Sequence, residues 1–174
     1  ERKRLQSVVI PESITSIEKQ AFFVNELKEV IIPYGVTNIG ESAFRGNQIG
    51  NVIIPDSVTS IGRFAFMTNQ LREVTIPSSV TSISEAAFHK NKIENVNMPN
   101  SITSIGKQAF YMNQIKEINI PDRVASIGDY AFAQNQLKEV NIPDSVTSIG
   151  DAAFLDNQLE NVTLPNNITR IGNN

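Results

Sequence analysis

Apolar residues recur along this chain with a period much longer than that of any helix or strand. In each unit an aliphatic residue stands three and one positions before a proline, as in Val8 and Ile10 before Pro11, Val52 and Ile54 before Pro55, and Val140 and Ile142 before Pro143. The prolines fall at 11, 33, 55, 77, 99, 121, 143 and 165, a constant spacing of 22 that uses all 8 of them. The unit reads L-x-x-V-x-I-P-x-x-V-T-S-I-G-x-x-A-F-x-x-N-x. One such unit cannot enclose its own apolar face, so units must stack and bury each apolar column against its equivalent in the next. The expected fold is a solenoid of about eight 22-residue coils. Its parallel β-sheet covers one face, and short strands and 3₁₀ or helical turns make the other.

Within L-x-x-V-x-I the last two apolar positions are two apart, which is strand spacing with both side chains inward and the residue between them outward. Proline then removes a backbone donor and fixes φ, and turn formers follow it in Pro55-Asp56-Ser57 and Pro143-Asp144-Ser145, so the strand ends there. Val146-Thr147-Ser148-Ile149 is rich in β-branched residues and reads as a second short strand or an extended crossing of the coil. From Ile149 to Ala153 the spacing of four fits one 3₁₀ or α turn with Ile, Ala and Phe inward. Glycine at 40, 62, 106, 128, 150 and 172 marks either a left-handed backbone position or a close approach between coils. Phe44, Phe66, Phe88, Phe110 and Phe132 are expected in the core. Asparagine recurs at 25, 47, 69, 91, 113, 135 and 157, three after phenylalanine. An amide both donates and accepts, so a stack of them can satisfy the loop groups that a bent coil leaves unpaired. That column is read as structural.

Composition narrows the function. Charged residues make up 19% of 174 and the formal charge is −3, so no basic field exists to draw nucleic acid or an anionic membrane. The apolar runs are strand-sized against the roughly 20 residues of a bilayer span, which argues against direct membrane insertion. Glu1-Arg2-Lys3-Arg4 leads straight into a repeat with no apolar export segment between, so any export signal is expected to have been removed or to lie upstream. Cysteine is absent, removing disulfides and thiolate metal sites. His89 is the lone histidine, in a variable pair between Phe88 and Asn91, and reads as an exposed loop residue rather than a general base. No histidine pair, acidic calcium loop or G-x-G-x-x-G is present. No cofactor, metal or catalytic residue is expected, and the chain is not read as an enzyme. Asn161-Val162-Thr163 and Asn167-Ile168-Thr169 match the glycosylation pattern, but such matches arise readily in so Asn- and Thr-rich a chain.

The blocks Ile142-Pro143, Val146-Thr147-Ser148-Ile149-Gly150 and Ala153-Phe154, repeated along the whole sequence, resemble the BspA-type, or Treponema-type, leucine-rich repeat of bacterial and some protist surface proteins. The family commonly carries cysteine after A-F-x-x where this chain has Asn135 and its equivalents. The resemblance implies a leucine-rich-repeat solenoid, a secreted or cell-surface location and a role in adhesion or recognition. It names no ligand.

Columns that the fold does not dictate are the places for function. The outward strand column reads Val9, Ile31, Ile53, Thr75, Asn97, Asn119, Asn141 and Thr163, passing from apolar to polar. Ahead of it stand Lys28-Glu29, Arg72-Glu73, Lys116-Glu117 and Lys138-Glu139, which either lace the surface with opposite charges across strands or form a ligand patch. The candidate partner-binding residues are Arg72, Glu73, Thr75, Asn97, Lys116, Glu117, Asn119, Lys138, Glu139 and Asn141. The partner is a protein or a glycan; the alternative reading is a passive spacer. A second variable surface is the loop pair at Phe23-Val24, Arg45-Gly46, Met67-Thr68, His89-Lys90, Tyr111-Met112, Ala133-Gln134 and Leu155-Asp156, which either packs on neighbouring coils or offers sticky residues. The whole of 1–174 is read as one domain, a segment of a longer protein with both ends inside a repeat. Uncapped end coils exposing Leu5, Val8, Ile168 and Ile171 are expected to associate end to end.

Overall fold

The computed structural model describes residues 4–173; Glu1, Arg2, Lys3 and Asn174 of the expected domain lie outside the described residues. The chain winds as a parallel β-solenoid, with seven complete coils over 5–158 and the start of another. Every pairing is parallel and joins residues 22 apart, so the register of the sheet is the period of the sequence.

The first strand of the coil is shorter than L-x-x-V-x-I. Only its middle pairs, as Glu29–Ile31 with Asn51–Ile53 and Glu73–Thr75 with Asn95–Asn97, in an outward-inward-outward pattern. Further along, single bridges join Asn119 to Asn141 and Asn141 to Thr163. The more continuous ladder is the second run. Ser16–Ile17, Asn38–Ile39 and Ser60–Ile61 form one sheet, and Ser82–Ile83, Ser104–Ile105, Ser126–Ile127, Ser148–Ile149 and Arg170–Ile171 form another. Hydroxyls reinforce it from coil to coil, as where Thr59 Oγ1 donates to the Thr37 carbonyl and Ser57 Oγ to that of Val36.

Between these runs lies one continuous core. Phe44, Phe66, Phe88, Phe110 and Phe132 are fully buried, as expected, and form a column with Phe22 and Phe154 in which successive ring centroids lie 5.3–5.7 Å apart with planes within 11°. Such offset stacking adds to area burial as the main stabilising term.

The turn side corrects one expectation and decides between two alternatives. The segment after the Gly column is not a 3₁₀ or α turn but two linked β-turns, in which Ala43 N–H donates to Gly40 and Arg45 N–H to Ser42. The alternate amides point away from their own coil, Phe22 N–H reaching Ala43 and Val24 N–H reaching Arg45 at 2.8 Å. These bonds between coils displace the i→i−4 bonds of a helix and put Gln20, Ser42, Phe64, Ala86, Gln108, Tyr130 and Ala152 at φ of 50–60°. Glycine therefore serves the close approach and not the left-handed position. A Cβ on Gly106 would lie 2.7 Å from the Ile83 carbonyl oxygen and 2.8 Å from the Glu85 nitrogen.

The asparagine column does what its chemistry suggests. Asn91 Oδ1 accepts from Leu71 N–H of the previous coil at 3.1 Å, while its Nδ2 donates to the carbonyls of Phe66 at 3.0 Å and Phe88 at 3.1 Å. Asn47, Asn69, Asn113, Asn135 and Asn157 repeat the arrangement.

Candidate functional site

Polar side chains divide into two sets. The asparagine column and the hydroxyls of Thr37, Thr59, Thr103 and Thr147 are committed to joining coils. The strand side holds the other set. Arg72, Glu73, Thr75, Asn97, Lys116, Glu117, Asn119, Lys138, Glu139 and Asn141 are all exposed. None of their side chains forms a hydrogen bond or ion pair among the described residues. Their positions follow from the strand pattern, because Val74, Ile76, Ile118, Ile120, Val140 and Ile142 turn inward and leave the intervening residues outside.

No close ion pair joins the Lys-Glu pairs of this face among the described residues. The ion pairs among the described residues lie elsewhere, Lys19 with Glu41 at 3.0 Å, Arg63 with Glu85 at 2.5 Å and Arg4 with Glu26 at 3.9 Å.

A shallow groove of about 530 Å³ runs over the polar half of the face, where the ladder thins to single bridges. Its walls are Glu117, Asn119, Glu139 and Asn141, and its floor is Val96, Ile118 and Val140. Asn95 and Thr163 complete the rim. Reading by column missed these two, although Asn95 sits beside Glu94 in the Lys-Glu columns and Thr163 in the outward strand column. Arg72, Glu73 and Thr75 lie beyond the groove on earlier coils. Carboxylates and amides over an apolar floor can accept hydrogen bonds from hydroxyls or amides and donate to carbonyl oxygens while covering a hydrophobic patch. The other half of the face is apolar: Val9 is 92% exposed, Ile31 80% and Ile53 74%.

The turn side is less open than the loop reading expected. Phe23, Val24, Met112 and Leu155 are between 38% and 41% exposed, and Ala133 is buried. His89 corrects the expectation of an exposed loop residue. It is half-buried with its ring 4.9 Å from that of Tyr111, and its Nδ1 is enclosed with no hydrogen-bond partner among the described residues. Burial holds the imidazole below its ordinary 6.5, and the charges of Lys90 and Arg45 push it the same way. At the ends, Leu5 and Ile171 are exposed, while Val8 and Ile168 pack partly against the core. Among the described residues no cluster of three metal-ligating side chains occurs, and no helix is long and apolar enough to cross a membrane.

Comparison with known proteins places this architecture. The family model of the BspA type leucine rich repeat region matches in 6 copies over residues 1–114 and 103–174. A leucine rich cell surface protein from Faecalibacterium prausnitzii is similar at 28% identity and a TM-score of 0.64, over 92% of this chain and 48% of that one. A leucine-rich repeat protein from Bacteroides ovatus is similar at 25% identity and a TM-score of 0.62, over 94% of this chain and 50% of the other. One from Eubacterium ventriosum, at 22% identity and a TM-score of 0.62 over 93% and 54%, shares the fold. The chain thus spans about half the length of the solved structures it matches. No curated protein sequence matches it.

Proposed function

Because the chain belongs to the BspA-type leucine-rich-repeat family, we propose that it is a non-catalytic recognition module of a bacterial surface protein, taking a protein or glycan partner on its outward strand face. The observation that carries this reading is the set of ten exposed polar side chains, Arg72 to Asn141, whose donors and acceptors are left free while the other repeated polar columns are committed to the fold. Glu117, Asn119, Glu139 and Asn141 wall the groove, and Lys116 and Lys138 supply the adjacent cations. The face is also long enough for a macromolecule. Seven coils at roughly 4.8 Å per coil give on the order of 30 Å of continuous surface, enough for an interface of ordinary size. A surface location follows the Faecalibacterium relative, which is a cell surface protein.

The spacer reading asks for outward columns that repeat like the inner ones. Instead the central strand column changes from valine and isoleucine to threonine and asparagine, which favours recognition.

An array of neutral glycans and matrix proteins tests both readings. The native chain should bind a member, and alanine at Lys116, Glu117, Asn119, Lys138, Glu139 and Asn141 together should abolish that signal with little change in melting temperature, since each exposed group contributes only about 0–1 kcal/mol. Loss instead through changes at Met67, Tyr111, Met112 and Leu155 would move the site to the turn side. Indifference to both sets would leave the spacer.

A further inference from the structure

The turn side carries a second arrangement that the strand-face reading does not use. Over the coils of Pro11 to Pro99 it interleaves rings with cations. The Arg45 guanidinium carbon lies 5.7 Å from the ring centroids of both Phe23, one coil earlier, and Phe64, one coil later. Arg63 lies 5.4 Å from the Phe64 ring. Further along, His89 stands against Tyr111, and Tyr111 lies 6.1 Å from Tyr130.

The charges here do not cancel. Glu41 is taken up by Lys19 and Glu85 by Arg63. Among the described residues no carboxylate pairs with Arg45 or Lys90, and no acceptor takes the side-chain donors of Arg45. A half-buried guanidinium held by two rings keeps its place through cation–π attraction while its fork of N–H donors stays available. His89 Nδ1 adds an enclosed polar atom without a partner in the same row. In a chain of net charge −3 this is a local excess of positive charge. It is bounded in the following coils by Asp129, Asp151 and Asp156.

We propose that this row binds an acidic polysaccharide, with carboxylate or sulfate groups on Arg45 and Lys90 and sugar rings against Phe23, His89 and Tyr111. The anion answers the unpaired cations, and the apolar faces of sugar rings suit partly exposed aromatic side chains. Spacing favours a saccharide over an acidic peptide. The groups recur at multiples of the coil rise, about 4.8 Å, whereas an extended peptide advances about 3.3 Å per residue; one sugar of a linear chain advances by close to one coil. Single-stranded nucleic acid also combines anions with flat rings. The row offers it few uncommitted cations, Arg45, Lys90 and the neighbouring Lys107, too few for the basic track such strands need.

The site is independent of the strand face, so the two are tested separately. The full chain is titrated with a heparin octasaccharide, an oligogalacturonate of equal length, a neutral dextran oligomer, poly-glutamate and an oligothymidylate. Binding is followed by calorimetry and by the ring resonances of His89, the sole histidine. At least one acidic oligosaccharide should bind, shift those resonances and raise the histidine's pKa, while dextran does not bind. Heparin alone would identify sulfate as the recognised group, and galacturonate alone carboxylate. Arg45→Gln with Lys90→Gln should weaken binding at least about tenfold, and Arg45→Lys with Lys90→Arg should keep most of it. The single change Lys90→Gln, at an exposed position, gives the same direction should the double variant lose its fold. The six-alanine strand-face variant should bind normally. The proposal is overturned if neither acidic oligosaccharide binds, if binding survives the neutralising changes, or if poly-glutamate or the oligothymidylate binds as tightly.

Discussion

At the scale of single residues, the same amino acid plays opposite parts according to its column. Asn91 sits in the coil-joining ladder with four hydrogen bonds, and Asn119 sits on the strand face with none. Replacing Asn91 by alanine strands the buried Leu71 N–H, at a cost of about 1–3 kcal/mol unless water reaches it, while the Phe66 and Phe88 carbonyls keep the bonds that Asn69 and Asn113 donate. Asn91→Ala should therefore destabilise by about 1–3 kcal/mol and Asn119→Ala by less than about 0.5 kcal/mol, as urea unfolding would measure. Equal effects would dissolve the distinction between committed and free side chains. His89 makes a prediction in pH. Its folded pKa lies below 6.5, so below that value the unfolded chain holds more protons than the folded one and stability falls on acidification. Well above 6.5 the group contributes no slope. His89→Gln should make the loss of melting temperature between about pH 7.5 and about pH 5.5 smaller than in the native chain; an unchanged loss would show that the histidine is not desolvated.

At the scale of the coil, the inward columns were legible because burial repeats them: the 22-residue period, the strand ending at Pro55 and its equivalents, and the phenylalanine stack all follow from side-chain chemistry alone. The turn was not legible. Its left-handed positions are occupied by residues such as Phe64, Tyr130, Val24 and Thr68, with glycine at Gly46 alone among the described residues, so local propensity points the wrong way. What holds them is the row of bonds to the next coil, which no single unit contains. The glycine column left a left-handed position and a close approach between coils both open, and it is the close approach that the structure shows. Gly106→Ala would press a methyl group onto the backbone of Ile83 and Glu85, and should cost roughly 1–3 kcal/mol as overpacking. Calorimetric melting at unchanged or higher temperature would show that the coils can separate to admit it. The candidate strand-face residues were legible in the same sense, by subtraction of dictated columns. The groove was only half legible, since its apolar floor opens where Asn119 and Asn141 reduce the ladder to bridges, a feature of pairing between coils.

At the scale of the molecule, stacking makes one rod with two long variable surfaces. On the strand side, polar groups flank an apolar row at Val9, Ile31 and Ile53; on the turn side, rings and cations alternate. The central claim is that polar side chains freed from the fold on the strand side meet the partner. Side-chain amide resonances of the asparagines test it most directly, because both sets report in one spectrum. With the partner found by the array, Asn97, Asn119 and Asn141 should shift while Asn69, Asn91 and Asn113 keep their positions and their protection from exchange. Shifts confined to the turn-side rings, with the strand-face amides unmoved at saturation, would contradict the account.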